Sequence, residues 1–298
     1  MKYCKKCLQP DTRPNILFDE HGVCYACLYE ESKASIDWDA RFNELLNIAK
    51  NAKAEAKKRG NIYECVIGVS GGKDSTFQAV YAKEKLGLRP LLINCVPDEI
   101  TQIGQHNIDN LNKLGFDIQE LIDGVDGVSE DDMYFYSMPD VGEMKQKGIR
   151  AIFLQYYAKE WSQVLNADFS IARGIKGRMD DDLHDIGRFR RFTALDSDLQ
   201  IANQMIKYLK FGFGFATDEA CYDIREGRLS REDALWYVNE YDGLCGEKYI
   251  KIACDYLGIS KDEFFRVVDG FVNKDLFYKD ENGKWKPKFK VGQDFNIN

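Results

Sequence analysis

Residues 66–75 read VIGVSGGKDS, an apolar run that ends in a glycine-rich loop. It is not a Walker A loop, G-x-x-x-x-G-K-[ST], because Lys73 is followed by Asp74 and Gly68 lies one residue too close to Gly72. The parts of an anion-binding loop are nevertheless present. Two adjacent glycines let successive backbone N–H groups face an anion, and a helix that begins after them adds its partial positive charge. The stretch therefore predicts a buried strand, a phosphate-binding loop and a helix.

Strands and helices alternate around this loop. The strands are apolar runs, and the helices show apolar residues at helical spacing. The predicted strands are 63–69, 90–96, 117–122 and 168–173, and the predicted helices are 76–86, 107–114 and 150–165. Such alternation is typical of an α/β fold with a parallel sheet and crossover helices. Ligands of these sheets bind at the carboxyl ends of the strands, so we expect residues 70–75, 94–98 and 173–182 to converge on one cleft.

Four of the nine cysteines form two C-x-x-C pairs, Cys4 with Cys7 and Cys24 with Cys27, and 16 residues separate the pairs. This is the spacing of a zinc site, because each pair turns tightly enough to direct two thiolates at one tetrahedral ion. A pair of disulfides and an iron–sulfur cluster are the alternatives. Four thiolates close the coordination sphere, so we expect a structural Zn²⁺ in a zinc-ribbon module.

The composition narrows the classes of partner. The formal charge of −8 leaves no cation excess to neutralise a nucleic-acid backbone, and residues 188–191, RFRR, form either a local basic patch or a solvated surface. Apolar runs are far shorter than the roughly 20 residues that span a bilayer. The start, MKYCKKCLQPD, lacks the apolar segment of a secretory signal. We therefore expect a cytoplasmic protein with no nucleic-acid or membrane partner.

These patterns divide the chain into four parts. Residues 1–35 form the zinc-ribbon module, 36–62 hold a linking helix that ends at Gly60, 63–199 form the α/β domain, and 200–298 form a helical C-terminal region. The helices predicted in the last part are 201–211, 217–226, 230–241 and 248–257, with Thr217 and Ser230 as N-caps. The stretch 277–298 is either a hairpin around residues 281–283 or a flexible tail.

The segment SGGKDS at 70–75 resembles the signature loop of the PP-loop ATP pyrophosphatases at every position. The resemblance implies a PP-loop ATP-binding domain in which the β- and γ-phosphates leave as pyrophosphate and AMP is transferred to a carbonyl or carboxylate oxygen. The implied nucleotide contacts are Ser70, Gly71, Gly72, Lys73, Asp74, Ser75, Asn94 and Gly174. Asp74 is either a ligand of Mg²⁺ or a helix cap. Arg173 departs from the usual small hydroxyl residue and no histidine follows, so Asp181 and Asp182 are either site residues or helix caps.

Several motifs resemble a narrower family, the N-acetyl sugar amidotransferases. They are the cysteine pairs that enclose QPDTRPN, the loop SGGKDSTFQ, the helix entry Thr101-x-x-Gly104-x-x-Asn107-x-x-Asn110, KFGFGFATD at 210–218 and IREGRLSRE at 224–232. The resemblance covers most of residues 1–122 and 200–270 and fits 123–199 poorly. The chain has Phe215 where the family usually has arginine.

The family resemblance implies a reaction. An N-acetyl carbonyl oxygen is adenylated and ammonia displaces AMP, which leaves an acetamidino group on a sugar of bacterial surface glycans, such as pseudaminic, legionaminic or diacetamido-uronic acids. Ammonia comes from partners that resemble the glutaminase and cyclase subunits of imidazole glycerol phosphate synthase, since the cysteines and the three histidines form no glutaminase motif. The implied catalytic residues are Lys73, Asp74 and Asp218, and the implied substrate contacts are Arg13, Arg173, Lys210, Asp218 and Arg225.

Some alternatives stay open. The segment 210–218 forms either the wall or lid of a site or a tight turn between helices, and Arg13 either reaches an anion or pairs with Asp11.

The alternative function is that of a tRNA thiolase, which needs an exposed reactive cysteine, whereas Cys65 and Cys95 lie in predicted buried strands. A third class is an adenylate-binding scaffold without catalysis. A homo-oligomer is one expectation for assembly.

Overall fold

The computed structural model describes residues 1–97, 99–122 and 151–296. Asp98 and Arg150, at the ends of two predicted segments, lie outside these residues, as do residues 123–150 of the stretch 123–199 where the family resemblance is poorest. The chain forms two compact units. The first comprises Met1–Ile36, Met179–Arg191 and Asp198–Asn298, and the second comprises Asp37–Arg178 and Phe192–Ser197.

A parallel three-stranded sheet forms the centre of the second unit. Its strands are β1, Cys65–Gly68, β2, Pro90–Cys95, and β3, Asp117–Leu121, in the order β1-β2-β3. Each strand is joined to the next by a helix: α3, Lys73–Glu84, follows β1, and α4, Gln102–Lys113, follows β2. Because all three strands run in one direction, their carboxyl ends lie at one edge. The predicted α/β class with a parallel sheet is confirmed.

The helices cover the sheet through apolar side chains. Leu92 of β2 packs in one cluster with Val80 of α3 and Leu111 of α4. A second cluster joins α3 to helix α2, Trp38–Arg59, which begins after the cap Asp37 and ends at Gly60, where φ is 72°. Gly60 therefore ends this helix as the sequence predicts, because a left-handed residue after the last turn favours glycine.

The predicted fourth strand is wrong. Residues 168–173 belong largely to helix α5, Gln163–Ile171. Of the predicted helix 150–165, residues 163–165 form the first turn of α5, and Leu154–Tyr156 form a short 3₁₀ turn before it. The cap decides this: the hydroxyl of Ser162 accepts hydrogen bonds from the N–H groups of Val164 and Leu165, both at 3.2 Å. A capped first turn commits the run to a helix although its apolar residues also suit a strand.

The first unit is helical. Its helices are α1, Tyr25–Ser32, α6, Leu183–Ile186, α7, Leu199–Phe211, α8, Phe215–Arg225, α9, Arg231–Tyr241, α10, Glu247–Leu257, and α11, Lys261–Phe271. The antiparallel pair β4, Phe277–Lys279, and β5, Trp285–Pro287, confirms the predicted hairpin, with Gly283 at φ 73° in its turn. Among the described residues, no helix is both long enough and apolar enough to cross a bilayer.

The cysteine-bearing start of the chain packs on two of these helices. All four paired cysteines are buried in one cluster with Cys221 of α8 and with Ala234 and Val238 of α9. Residues 1–35 and the C-terminal helices, which sequence analysis treats as separate parts, therefore share one compact unit.

Candidate functional site

The two C-x-x-C pairs bring four sulfur atoms together at one point. The four Sγ atoms all lie within 4.8 Å of one another, with Cys4 and Cys27 at 3.9 Å and Cys7 and Cys24 at 3.7 Å. A regular tetrahedron of Zn–S bonds of about 2.3 Å places its sulfur atoms about 3.8 Å apart. A disulfide needs about 2.05 Å. The donor set therefore fits a tetrahedral Zn²⁺ with no open coordination position.

Backbone and side-chain donors surround these sulfur atoms. The N–H groups of Lys6 and Gln9 each lie 3.4 Å from the sulfur two residues before them, and the N–H of Cys24 lies 3.2 Å from Cys4 Sγ. The guanidinium of Arg225 lies 4.0 Å from Cys7 Sγ. Such donors stabilise thiolate ligands of a metal, because they compensate the negative charge. Arg225, a predicted substrate contact, thus lies against the cysteine cluster.

The glycine loop joins β1 to α3 at the carboxyl edge of the sheet. Gly71 has φ 75°, and a Cβ there would lie 2.8 Å from the carbonyl oxygen of Gly104 and 3.1 Å from Asn107 Cβ. Gly72 is the N-cap residue of α3, and a Cβ there would meet only Ser70 Oγ, at 3.6 Å. The two glycines therefore have different roles. Gly71 lets the loop backbone lie close to α4, and Gly72 leaves space for an anion at the N-terminus of α3.

Lys73 and Asp74 begin α3 beside this loop. Lys73 is buried, with 6% of its surface exposed, and its Nζ lies 2.8 Å from Asp74 Oδ2. The other carboxylate oxygen accepts a hydrogen bond of 2.8 Å from the amide of Asn166 on α5. Ser75 donates to the carbonyl oxygen of Gly72 at 3.2 Å. The arrangement holds a cation at the entrance of the helix, as a phosphate site requires.

Asn94 lies near the carboxyl end of β2, one residue after the carbonyl that accepts the N–H of Val69. Its side chain is 1% exposed, and neither its amide nitrogen nor its amide oxygen has a hydrogen-bond partner. A buried donor or acceptor without a hydrogen-bond partner lowers the stability of a protein by about 1–3 kcal/mol. The Asn94 amide is therefore a candidate for contact with a ligand. Together with Lys73 and the open N-cap at Gly72, it makes this edge of the sheet fit the polar groups of a nucleotide.

Gly174 is held next to α4 rather than at the end of a strand. Its φ is 91°, and a Cβ there would lie 2.7 Å from the amide oxygen of Asn110, whose nitrogen donates to the carbonyl of Arg173 at 2.8 Å. Asn107 makes two bonds to Lys176, of 2.7 and 3.0 Å. Asn107 also borders Gly71, so helix α4 contacts both the glycine loop at 70–75 and the segment around Gly174. The side chains of Asn107 and Asn110 therefore hold the backbone at residues 173–176 in place.

Two predicted polar residues, Arg173 and Asp182, have structural partners. The Arg173 guanidinium stacks on the ring of Phe169 at 3.5 Å and lies 2.9 Å from Glu84. Asp182 caps α6 by accepting the N–H of His184 at 2.8 Å, which is the capping alternative. The sequence predicts that residues 173–182 follow a strand and form the third side of the cleft. They follow helix α5 instead, so they are not a strand end of the sheet.

The segment 210–218 is a turn between helices. Gly212 ends α7 with φ 75°, and the carboxylate of Asp242 accepts the N–H groups of Gly214, Ala216 and Thr217 at 2.8, 3.0 and 3.3 Å. Thr217, predicted as an N-cap, instead donates its hydroxyl to Asp242 at 2.6 Å. Desolvation raises the pKa of Asp242 to about 6, and these hydrogen bonds oppose the rise. The N-terminus of α8 is thus filled by a carboxylate of the chain itself.

Asp218 forms ion pairs with two cationic side chains that both lie over one aromatic ring. It pairs with Arg13 and, at 2.5 Å, with Lys207, and both cations lie over the ring of Phe213, at 5.1 and 4.5 Å. Arg13 therefore pairs with Asp218, and the alternative pairing with Asp11 is wrong. Sequence reasoning missed Lys207 and named Lys210, which lies over Phe211 and Phe271 instead. The catalytic and substrate roles of Arg13 and Asp218 stay predictions.

The arginine run at 188–191 is neither a free basic patch nor a solvated surface. Arg188 is 1% exposed and its guanidinium lies 4.4 Å from the centre of the Phe215 ring. Arg190 pairs with the buried carboxylate of Asp223, and Arg191 donates to the carbonyl of Asp181 at 2.6 Å. These three cations therefore have partners inside the first unit.

Comparison with known proteins finds a similarity in the C-terminal part of the chain. Residues 186–291 match the family model of the C-terminal domain of WbpG-like LPS biosynthesis proteins. An uncharacterized protein of Methanocaldococcus jannaschii is 27% identical over 108 residues, which are 36% of this chain and 36% of that protein. The chain thus spans about a third of the length of this relative. The family match is thus a similarity, over about a third of the chain, to a domain of lipopolysaccharide biosynthesis proteins.

Proposed function

We propose that the chain is an ATP-dependent amidotransferase that converts an N-acetyl group of a bacterial surface-glycan sugar into an acetamidino group. The observation that carries the proposal is the SGGKDS loop, with its buried Lys73 and open N-cap at the carboxyl edge of a parallel sheet. The similarity to WbpG-like LPS biosynthesis proteins supports the sugar as acceptor.

The proposed reaction has two steps, adenylation of the acetamido oxygen and displacement of AMP by ammonia. The acetamido carbonyl oxygen attacks the α-phosphorus of ATP and expels pyrophosphate, ammonia adds to the carbon, and AMP leaves with that oxygen. The product carries NH in place of oxygen. ATP supplies the activation, because adenylation turns a poor leaving oxygen into a good one.

The chain's own residues would hold and orient the nucleotide. Lys73 supplies positive charge to the leaving phosphates, and the free N–H groups at the start of α3 supply oriented donors. Asp74 is the proposed ligand of Mg²⁺. Asn94 has a donor and an acceptor available for polar groups of the nucleotide.

The ammonia source is proposed to be a separate protein, with subunits that resemble the glutaminase and cyclase of imidazole glycerol phosphate synthase. Four of the five cysteines outside the paired ones are poorly suited to glutaminase or sulfur-transfer chemistry. Desolvation raises the pKa of the Cys65 thiol to about 11 and that of Cys245 to about 12, which leaves little thiolate at neutral pH. Cys221 and Cys254 are buried. These thiols favour the amidotransferase over the tRNA thiolase.

The test is pyrophosphate release from ATP and Mg²⁺, with ammonium chloride and a panel of N-acetylated nonulosonic and uronic sugars, beside unmodified tRNA with sulfide. We expect release that depends on a sugar, and a product about one mass unit lighter than that sugar. Lys73→Met is expected to abolish release without unfolding the protein. Release with tRNA alone would establish the thiolase instead, and ATP binding without release from any acceptor would indicate the scaffold.

A further inference from the structure

Helix α5 contacts the start of α3 through two polar side chains that lie one turn apart. Asn166 donates its amide to Asp74 Oδ1 at 2.8 Å, and Ser170 donates its hydroxyl to the carbonyl oxygen of Lys73 at 2.9 Å. Both side chains are completely buried. The segment that bears them fits no strand-end motif, so sequence reasoning placed neither residue at the nucleotide loop.

The amide of Asn166 has only one orientation. An ionised carboxylate accepts hydrogen bonds and donates none, so the nitrogen of the amide must face Asp74. The amide oxygen then points elsewhere, and it is buried without a hydrogen-bond partner. Asparagine is also a poor residue for a helix interior, because its side chain competes for backbone groups. The hydrogen bond to Asp74 accounts for the amide nitrogen, but packing and stability do not account for the amide oxygen, which an apolar residue of similar volume would not strand.

The chemistry of these oxygens suits a hard divalent cation. Carboxylate and amide oxygens are the ligands that Mg²⁺, Ca²⁺ and Mn²⁺ take in proteins. We infer that Asn166 is a residue of the nucleotide site, where its nitrogen orients Asp74 and its free oxygen is a ligand for the divalent cation that accompanies the nucleotide. This inference rests on the proposed nucleotide site, and it adds α5 to the elements that build it.

The ion pair of Lys73 makes cation and nucleotide binding interdependent. Lys73 occupies Asp74 Oδ2, at 2.8 Å, while Asn166 occupies Oδ1. Phosphate oxygens compete for the ammonium of Lys73, and this competition leaves Oδ2 available to a cation. We therefore expect Mg²⁺ to tighten ATP binding more than it would by its contact with the phosphates alone.

The experiment measures ATP affinity by calorimetry, with Mg²⁺ and with a chelator, for the full chain and three variants. Asn166→Leu replaces the amide by an apolar side chain of similar size, Asn166→Asp supplies a charged oxygen, and Ser170→Ala is the matched control on the same helix face. We expect Asn166→Leu to stay folded, with a Tm lowered no more than that of Ser170→Ala, and to lose about tenfold or more of the affinity gained from Mg²⁺, the scale of a disrupted metal environment. Affinity in chelator should not change.

Asn166→Asp gives a second signature that does not depend on the first variant. Two carboxylates face each other in it, so its Tm should fall without a divalent cation and recover on addition of Mg²⁺ or Mn²⁺. Ser170→Ala should lower Tm and leave the Mg²⁺ dependence unchanged. The inference is overturned if Asn166→Leu binds Mg²⁺ and ATP like the unmodified protein, or if Mg²⁺ does not restore Asn166→Asp. Failure of the unmodified protein to bind ATP would instead refute the proposed function itself.

Discussion

Substitution of Gly71 by alanine tests the geometry of the nucleotide loop most directly. Gly71 has φ 75°, and an added Cβ would approach the carbonyl oxygen of Gly104 to 2.8 Å. The left-handed conformation costs alanine about 1–2 kcal/mol. The contact with a backbone oxygen adds roughly 1–3 kcal/mol, since the loop and α4 must move apart. We therefore expect Gly71→Ala to lower the free energy of unfolding by about 2–5 kcal/mol.

Two other glycines of the same compact unit separate these contributions. Gly60 has a similar φ of 72° but nothing within 4 Å of an added Cβ, so Gly60→Ala should cost only the backbone part, about 1–2 kcal/mol. Gly72 has φ −81° and its nearest neighbour is Ser70 Oγ at 3.6 Å, so Gly72→Ala should change stability by less than about 1 kcal/mol. It should nevertheless weaken ATP binding, because its methyl group occupies the approach of an anion.

The assay is urea denaturation of the three variants, followed by circular dichroism, together with ATP binding. The expected order of destabilisation is Gly71→Ala, then Gly60→Ala, then Gly72→Ala. If Gly71→Ala is no more destabilising than Gly60→Ala, the close passage of the loop past Gly104 is wrong. If Gly72→Ala binds ATP as tightly as the unmodified protein, the phosphates do not lie at this N-terminus.

Three further predictions concern other parts of the chain. Treatment with a strong chelator should release about one equivalent of Zn²⁺, measured with a colorimetric indicator, and should lower the helical circular-dichroism signal. Added Zn²⁺ should restore that signal, and release of iron would refute the assignment of Zn²⁺ to the four cysteines. Arg190→Met should cost about 3–5 kcal/mol, because Asp223 is only 1% exposed and loses its partner, and the added change Asp223→Asn should recover part of that loss in thermal unfolding. Asn107→Ala should cost roughly 2–3 kcal/mol in urea denaturation, since it removes both bonds to Lys176; a loss below about 0.5 kcal/mol would show that these bonds do not form.

The sequence predicts well the features whose chemistry is local. Two C-x-x-C pairs meet in space because each pair is a tight turn, and Ser230 caps its helix by accepting the N–H of Asp233 at 3.0 Å. Gly60 ends its helix, and the strand, loop and helix around Lys73 form where the pattern predicts them. In each case, neighbouring residues determine the backbone without help from distant ones.

Errors arise where a distant side chain decides. Thr217 reads as an N-cap, but Asp242, far along the chain, accepts the N–H groups at the start of that helix. The position of Arg225 beside Cys7 likewise depends on the fold, and its role as a substrate contact stays a prediction. Sequence periodicity does not contain these long-range contacts. The error in the predicted strand 168–173 is different, because the cap that begins this helix, formed by Ser162, is local.

The packing of the paired cysteines against α8 and α9 has a consequence for synthesis of the chain. Cys27 and Cys221 lie in the same buried cluster, yet 194 positions separate them in the sequence. At about 5–20 residues per second, the ribosome completes α8 roughly 10–40 s after the last of the four paired thiols is made. During that interval the thiols lack their apolar cover, so an ion that binds early protects the nascent chain from oxidation and from pairing with the wrong cysteine.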